Sequence, residues 1–198
     1  MARRRTSSAA WTAASVLLVV LGLVAARRRA RELADERAGR LAPLGPDGGT
    51  EVPPAVRGVA ARVCTWAPPP LERGRRRMGL AWASPVTLVG LAMAVLGGGR
   101  PTWDDRIGAF VATGVSGPSG WALRQAGLGA NTMGHAIVVR GDRASDRLLA
   151  HEAVHVRQFE RLGVLMYPLY LWYAARYGYR ENPLEIAARR AGPLTSRS

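Results

Sequence analysis

The sequence predicts an α+β fold in two parts: N-terminal transmembrane helices, then a small domain holding a short β-sheet, an active-site helix and a ligand helix. Three observations carry this. Two apolar blocks without charge, Ala9–Ala26 and Met78–Gly98, come first. Short β-branched runs bounded by glycine follow and read as strands. Finally, His151-Glu152-Ala153-Val154-His155 lies in a stretch with helical periodicity and helical start and stop signals. The chain divides accordingly: residues 1–30 as a transmembrane or signal-anchor segment, 31–77 as a basic Pro/Gly-rich linker, 78–99 as a second hydrophobic segment, and 100–198 as the folded domain.

Ala9–Ala26 is flanked by Arg3-Arg4-Arg5 and Arg27-Arg28-Arg29. At 1.5 Å per residue it just crosses a bilayer core of ~30 Å. A secretory signal peptide ending near Val24-Ala25-Ala26 is the competing reading. Met78–Gly98 contains Pro85, which a membrane helix tolerates; a buried core helix is its soluble alternative. A multi-pass location in a cell membrane follows. Its orientation stays open, because the basic 27–77 stretch and Arg3-Arg4-Arg5 argue for opposite sides. The Pro- and Gly-rich centres of that stretch, Leu44–Pro54 and Ala67–Pro70, read as flexible connection. Ile107–Thr113 and His135–Arg140 are the expected strands, separated by the Gly- and Ser-rich Gly114–Gly120. The apolar, aromatic stretch Val164–Ala175 suits either the membrane interface or a wall of the cleft.

The helix carrying the motif is expected from Asp146 to Leu162, with Ser145 or Asp142 as N-cap and Gly163 as its stop. Leu148, Glu152, His155, Phe159 and Leu162 recur at three- and four-residue steps and form its inner face. Arg147, Arg157 and Arg161 then point outward. His151 and His155, four residues apart, lie one turn above each other and can take two corners of a tetrahedral Zn2+ site. Glu152 can reach a zinc-bound water as general base. Gln158 falls on the histidine side, placed to orient a ligand.

The third ligand must be another residue. The positions three and six after His155 hold Gln158 and Arg161, which excludes a third histidine there. Downstream carboxylates are Glu160, Glu181 and Glu185. Glu160 is rotated away from the histidines. Glu185 follows Asn182-Pro183, an N-cap and first helical residue, so it is either a ligand or the glutamate of a capping box. Glu181 is the reserve ligand. His135, at a strand start, is either a cleft residue or a hydrogen-bonded structural one. Tyr177, Tyr179 and Arg180 precede the second helix and are candidates for stabilising a transition state, with Tyr179 foremost.

Taken together, HExxH, Gln158, Gly163, Tyr167-Pro168, Tyr170 and Asn182-Pro183-Leu184-Glu185 resemble a family of bacterial, membrane-linked zincin-like proteins. The resemblance reaches back through Met133–Val139 and covers about Pro85 to Arg189. It implies a gluzincin-type metallopeptidase with His151, His155 and Glu185 as zinc ligands and Glu152 as catalytic base. Ala187 departs from the pattern, where similar proteins often carry a second glutamate.

The expected function is hydrolysis of peptide bonds in a peptide or protein substrate by a membrane-anchored zinc enzyme. The alternative is an inactive, metal-stabilised membrane interaction protein. All 28 basic residues are arginine and the net charge is +14. They flank apolar segments and show no groove-reading motif, so anionic lipid explains them and no specific nucleic acid is expected. The single cysteine, Cys64, excludes an internal disulfide and a cysteine metal cluster.

Overall fold

The structure is a computed structural model. It describes residues 3–42, 44, 52–66, 73–192 and 194, and for residues 3–11, 73, 75 and 76 the backbone alone. The fold is α+β. Three helices come first: α1 (Arg3–Arg37), α2 (Pro54–Cys64) and α3 (Arg73–Leu96). Then follow β1 (Thr102–Asp104), β2 (Ala109–Ala112), α4 (Gly117–Gln125), β3 (Ala130–Met133) and β4 (Ala136–Val139). The chain closes with α5 (Asp146–Leu162), a short 3-10 turn, α6 (Met166–Tyr177) and α7 (Pro183–Arg189).

The four strands form one sheet in the order β1-β2-β4-β3. Its centre is the parallel pair β2–β4, with Val111 opposite Ile137, and the outer pairs β1–β2 and β3–β4 are antiparallel. Alternation along the strands divides the core into two layers. Ile137 and Val139, with Ala109 and Val111, pack on Leu149, Ala153 and Val156 of α5. Val138 and Ala112 face the other way, onto Ala94 of α3 and Leu123 of α4. The far side of α5 is also covered. Val154 and Phe159 meet Ala83 and Val86 of α3, Met166 of α6 and Leu184 of α7. With both sides covered, α5 is buried almost continuously from Leu149 to Phe159. It is the central element.

Several expectations need correction. Residues 31–77 are not linker throughout. α1 runs on to Arg37, and α2 lays Val56 and Ala60 on Ile186 of α7. Ala67–Pro70 and most of Leu44–Pro54 lie outside the described residues. The Gly/Ser stretch after β2 turns helical at Gly117, and β1 and β3 are strands that local composition did not announce. Among the described residues one helix is long and apolar enough to cross a membrane, the Arg77–Leu96 part of α3. The two-span, multi-pass expectation is therefore not met on that measure. α3 also packs on the sheet: a side chain at Gly90 would meet Met133 and Ala136, and one at Gly97 would meet Val115. Of the block Ala9–Ala26, the described side chains Thr12–Val20 are all exposed.

Candidate metal centre

Local chemistry sets α5 in place before any tertiary contact. Ser145 Oγ accepts from the Leu148 N–H at 3.2 Å, satisfying one orphan donor of the first turn. Gly163 ends the helix at φ +55°, a conformation costly for other residues, and a side chain there would run into the Trp82 indole. α7 starts by the same logic: Asn182 Oδ1 accepts from Leu184 N–H at 3.0 Å, and Pro183 takes the first helical position. Asn182 is thus the N-cap expected at this terminus. The Glu185 carboxylate does not reach back to the Asn182 N–H, as a capping box requires, and has another use.

That use is visible in the geometry. His151 Nε2 and His155 Nε2 are 3.2 Å apart. Glu185 Oε1 lies 3.4 Å from His155 Nε2, and Glu185 Oε2 lies 3.5 Å from His151 Nε2. Two ligand atoms on a tetrahedral ion at ~2.0–2.1 Å sit about 3.3–3.4 Å apart. The spacings are of that size, with one Glu185 oxygen against each imidazole, and the three residues each offer a ligand atom within 4.8 Å of the others. Among the described residues this trio is the one group of His, Cys, Asp or Glu able to hold a metal ion. Glu185 Oε2 is buried and has no hydrogen-bond donor, as expected of an oxygen reserved for a cation.

The surroundings fix the donors. His155 Nδ1 pairs with Gln158 Oε1 at 2.8 Å, and Gln158 Nε2 donates to Leu184 O at 3.0 Å. Because the amide nitrogen is committed to Leu184, its oxygen faces the imidazole. His155 then donates from Nδ1 and keeps the Nε2 lone pair for a ligand. Gln158, fully buried, plays the orienting role expected of it and also ties α5 to α7. Tyr170 donates its hydroxyl to Glu185 Oε1 at 2.9 Å, and Arg189 Nη1 stands 3.9 Å from Oε2.

Charge agrees with this picture. Burial alone would lower the pKa of His155, but the charge and hydrogen bond of Glu185 raise it to about 9. Burial would raise Glu185, yet the two imidazoles hold it well below the usual carboxylate value. In the metal-free site the histidine proton balances the carboxylate, and a cation would take the proton's place.

Glu152 is buried at the cavity wall, and its Oε2 accepts from Thr132 Oγ1 at 2.6 Å. Thr132 belongs to β3, the edge strand. The cavity, about 610 Å³, is lined by Thr132, Glu152, the three candidate ligands, Tyr167, Tyr170 and Tyr179, with Arg29 and Glu36 of α1 closing it. Val164–Ala175 thus supplies a cleft wall through Tyr167 and Tyr170. Tyr179 lies among the lining residues as expected. Burial and the nearby Glu185 push its hydroxyl well above the ordinary tyrosine value. The Arg29 guanidinium sits 4.1 Å from its ring centre.

Two residues fall elsewhere. His135 does not face the cleft: it is fully buried, its Nε2 3.1 Å from Glu160 Oε1. Arg157 does not point outward: it is buried, pairs with Glu160 and donates to Ile107 O at 2.5 Å. Glu181 is exposed and outside the trio. Thr132 and Arg189 had no assigned role in the sequence, Tyr170 entered only through the resemblance, and Arg29 only as a flank of the apolar block. No protein-family model, curated protein or solved structure matches this chain.

Proposed function

We propose that this protein is a zinc-dependent peptidase working at a membrane. The observation that carries the reading is the gathering of two imidazole nitrogens 3.2 Å apart and a carboxylate with one oxygen against each, beside a second, separately held glutamate. Two histidines and one glutamate are the donor set of a catalytic zinc, which keeps its fourth position for water. When bound, the ion supplies a Lewis acid that acidifies water and polarises a carbonyl.

The chain's own groups account for the rest. Glu152, held at Oε2 by Thr132, takes up the proton of the attacking water and returns it to the leaving amine. Tyr179 presents a hydroxyl that stays protonated, suited to hydrogen-bonding a developing oxyanion. The substrate lies against β3. Arg140 N–H donates to Gly129 O, so the antiparallel alternation directs the N–H and C=O groups of Ala130 and Thr132 outward along the open edge. An extended peptide can pair there as a further strand.

A second reading keeps the metal without the chemistry. His155, Gln158 and Glu185 join α5 to α7, so an ion could serve as a staple in a membrane interaction protein. Glu152→Gln separates the two. In the peptidase it abolishes cleavage of a quenched-fluorescent peptide library while metal content by elemental analysis stays stoichiometric. If cleavage is never seen in wild type and the variant matches it in stability, the staple is the right reading.

A further inference from the structure

We infer that the cavity sits at the headgroup level of a bilayer, and that its substrates are polypeptide segments held at the membrane surface. This rests on the peptidase reading and narrows it. The observation is the continuity of α1. One unbroken helix carries the apolar block and the wall of the cavity.

The two halves of α1 differ sharply. From Thr12 to Val20 every residue is exposed, with Val16, Leu17, Val19 and Val20 bare to roughly half or more of their surface. A helix so apolar on all sides has no stable place in water. From Leu21 onward one face is covered, through Ala25, Arg29, Glu32, Leu33 and Glu36, where α6 packs along it. Polar contacts clamp this half. Glu32 Oε1 accepts from the Tyr179 N–H at 2.9 Å, and Arg180 Nη1 donates to Glu36 Oε1 at 2.7 Å. The apolar half therefore leaves the body in a fixed direction.

Charge names the occupant. Arg27, Arg28 and Arg31 are exposed where the apolar block ends, and Arg29 turns inward to the cavity. Outward arginines behind an 18-residue apolar helix match the phosphate layer of an anionic bilayer. At 1.5 Å per residue, Arg29 stands about 5 Å above Ala26, inside a headgroup layer ~5–8 Å deep. The half-exposed Trp172 of α6, and Val164 and Leu165 before it, add apolar and interfacial side chains. A cavity walled at that height meets chains lying on or emerging from the membrane before it meets chains in solution.

The test uses the full-length protein with Cys64→Ser, in vesicles of three parts phosphatidylcholine to one part phosphatidylglycerol. A nitroxide goes on Gly129→Cys, at the cavity rim, where a side chain meets nothing within 4 Å. Its depth is read from collisions with oxygen and with a water-soluble nickel chelate. The inference expects the label within about 10 Å of the phosphate plane; a label exposed as in bulk water overturns the placement. Matching vesicles holding the unlabelled full-length protein then receive zinc and one peptide library in two forms, free or tethered by a palmitoyl chain. The inference expects at least tenfold faster cleavage of the tethered form, and equal rates overturn it. Cleavage of neither form, with the rim label at the phosphate plane, overturns the peptidase reading and the substrate class with it.

Discussion

Tyr170 and Glu185 are joined by a 2.9 Å hydrogen bond in which the phenol donates to Oε1. This bond links the wall helix α6 to the carboxylate that completes the candidate metal trio. Tyr170 stays protonated because burial and the neighbouring Glu185 both oppose a phenolate. Tyr170→Phe removes the donor with little change in volume. Metal affinity should fall about 10-fold or more, the range for losing a partner that orients a ligand. Competition against a calibrated chelator measures it, and an unchanged dissociation constant would show that Glu185 is held by packing alone.

Thr132→Val tests the other carboxylate. The 2.6 Å bond from Thr132 Oγ1 fixes Glu152 on the cavity wall. The variant should keep its metal and its KM while kcat drops about 10-fold, part of the 10²–10⁴ that a general base contributes. Steady-state kinetics beside metal analysis would separate this outcome from a folding defect.

Gln158→Leu should strike both the site and the fold. It strands His155 Nδ1 in the core, at about 1–3 kcal/mol for the unpaired group, and removes the side-chain donor to Leu184 O that ties α5 to α7. Urea denaturation of the metal-free protein should show that loss. Zinc affinity should fall in parallel, because His155 loses the partner that fixes its tautomer. Stability lost without any change in zinc affinity would confine Gln158 to the core.

A second buried cluster governs acid behaviour. Burial would raise Glu160, but His135 and Arg157 hold it below its usual 4.5. A carboxylate lowered in this way contributes stability that is full above pH 4.5 and is lost as pH falls through its folded value. Glu160→Gln should therefore flatten the acid limb of the stability curve. At pH 7 it should cost about 3–5 kcal/mol, because Arg157 is left buried without its carboxylate. Denaturation at pH 7 and pH 3 measures both effects.

How much of this the sequence displayed depends on the range of each interaction. Ser145, Gly163, Asn182 and Pro183 act within a few residues of themselves, so both helix boundaries could be read directly. So could the pairing of His151 with His155, which helical geometry alone enforces. The competition between cap and ligand at Glu185 was not decidable locally. It resolved when the fold brought α7 against α5 and turned the Glu185 carboxylate to the two histidines. Thr132 reaches Glu152 from 20 residues away, and Glu32 reaches Tyr179 from 147 residues away. No local pattern encodes such contacts. β3 escaped notice because Ala130-Asn131-Thr132-Met133 lacks the β-branched run that marks β4. Arg157 looked outward because its position on the helix wheel seemed polar, whereas α3 and the sheet enclose α5 on that side too.

The sharing of α1 between a bare apolar half and the cavity wall has a practical side for anyone trimming the chain. A version beginning at Leu21 keeps the packed part of α1, with Arg29, Glu32 and Glu36, and so retains that cavity wall while discarding the bare apolar half. One beginning at residue 100, where domain-hunting by eye would cut, forfeits that wall. It also strips α2 from Ile186 and α3 from the sheet, baring apolar surface on two sides. Recombinant work on a shortened form of the protein should start from the first design.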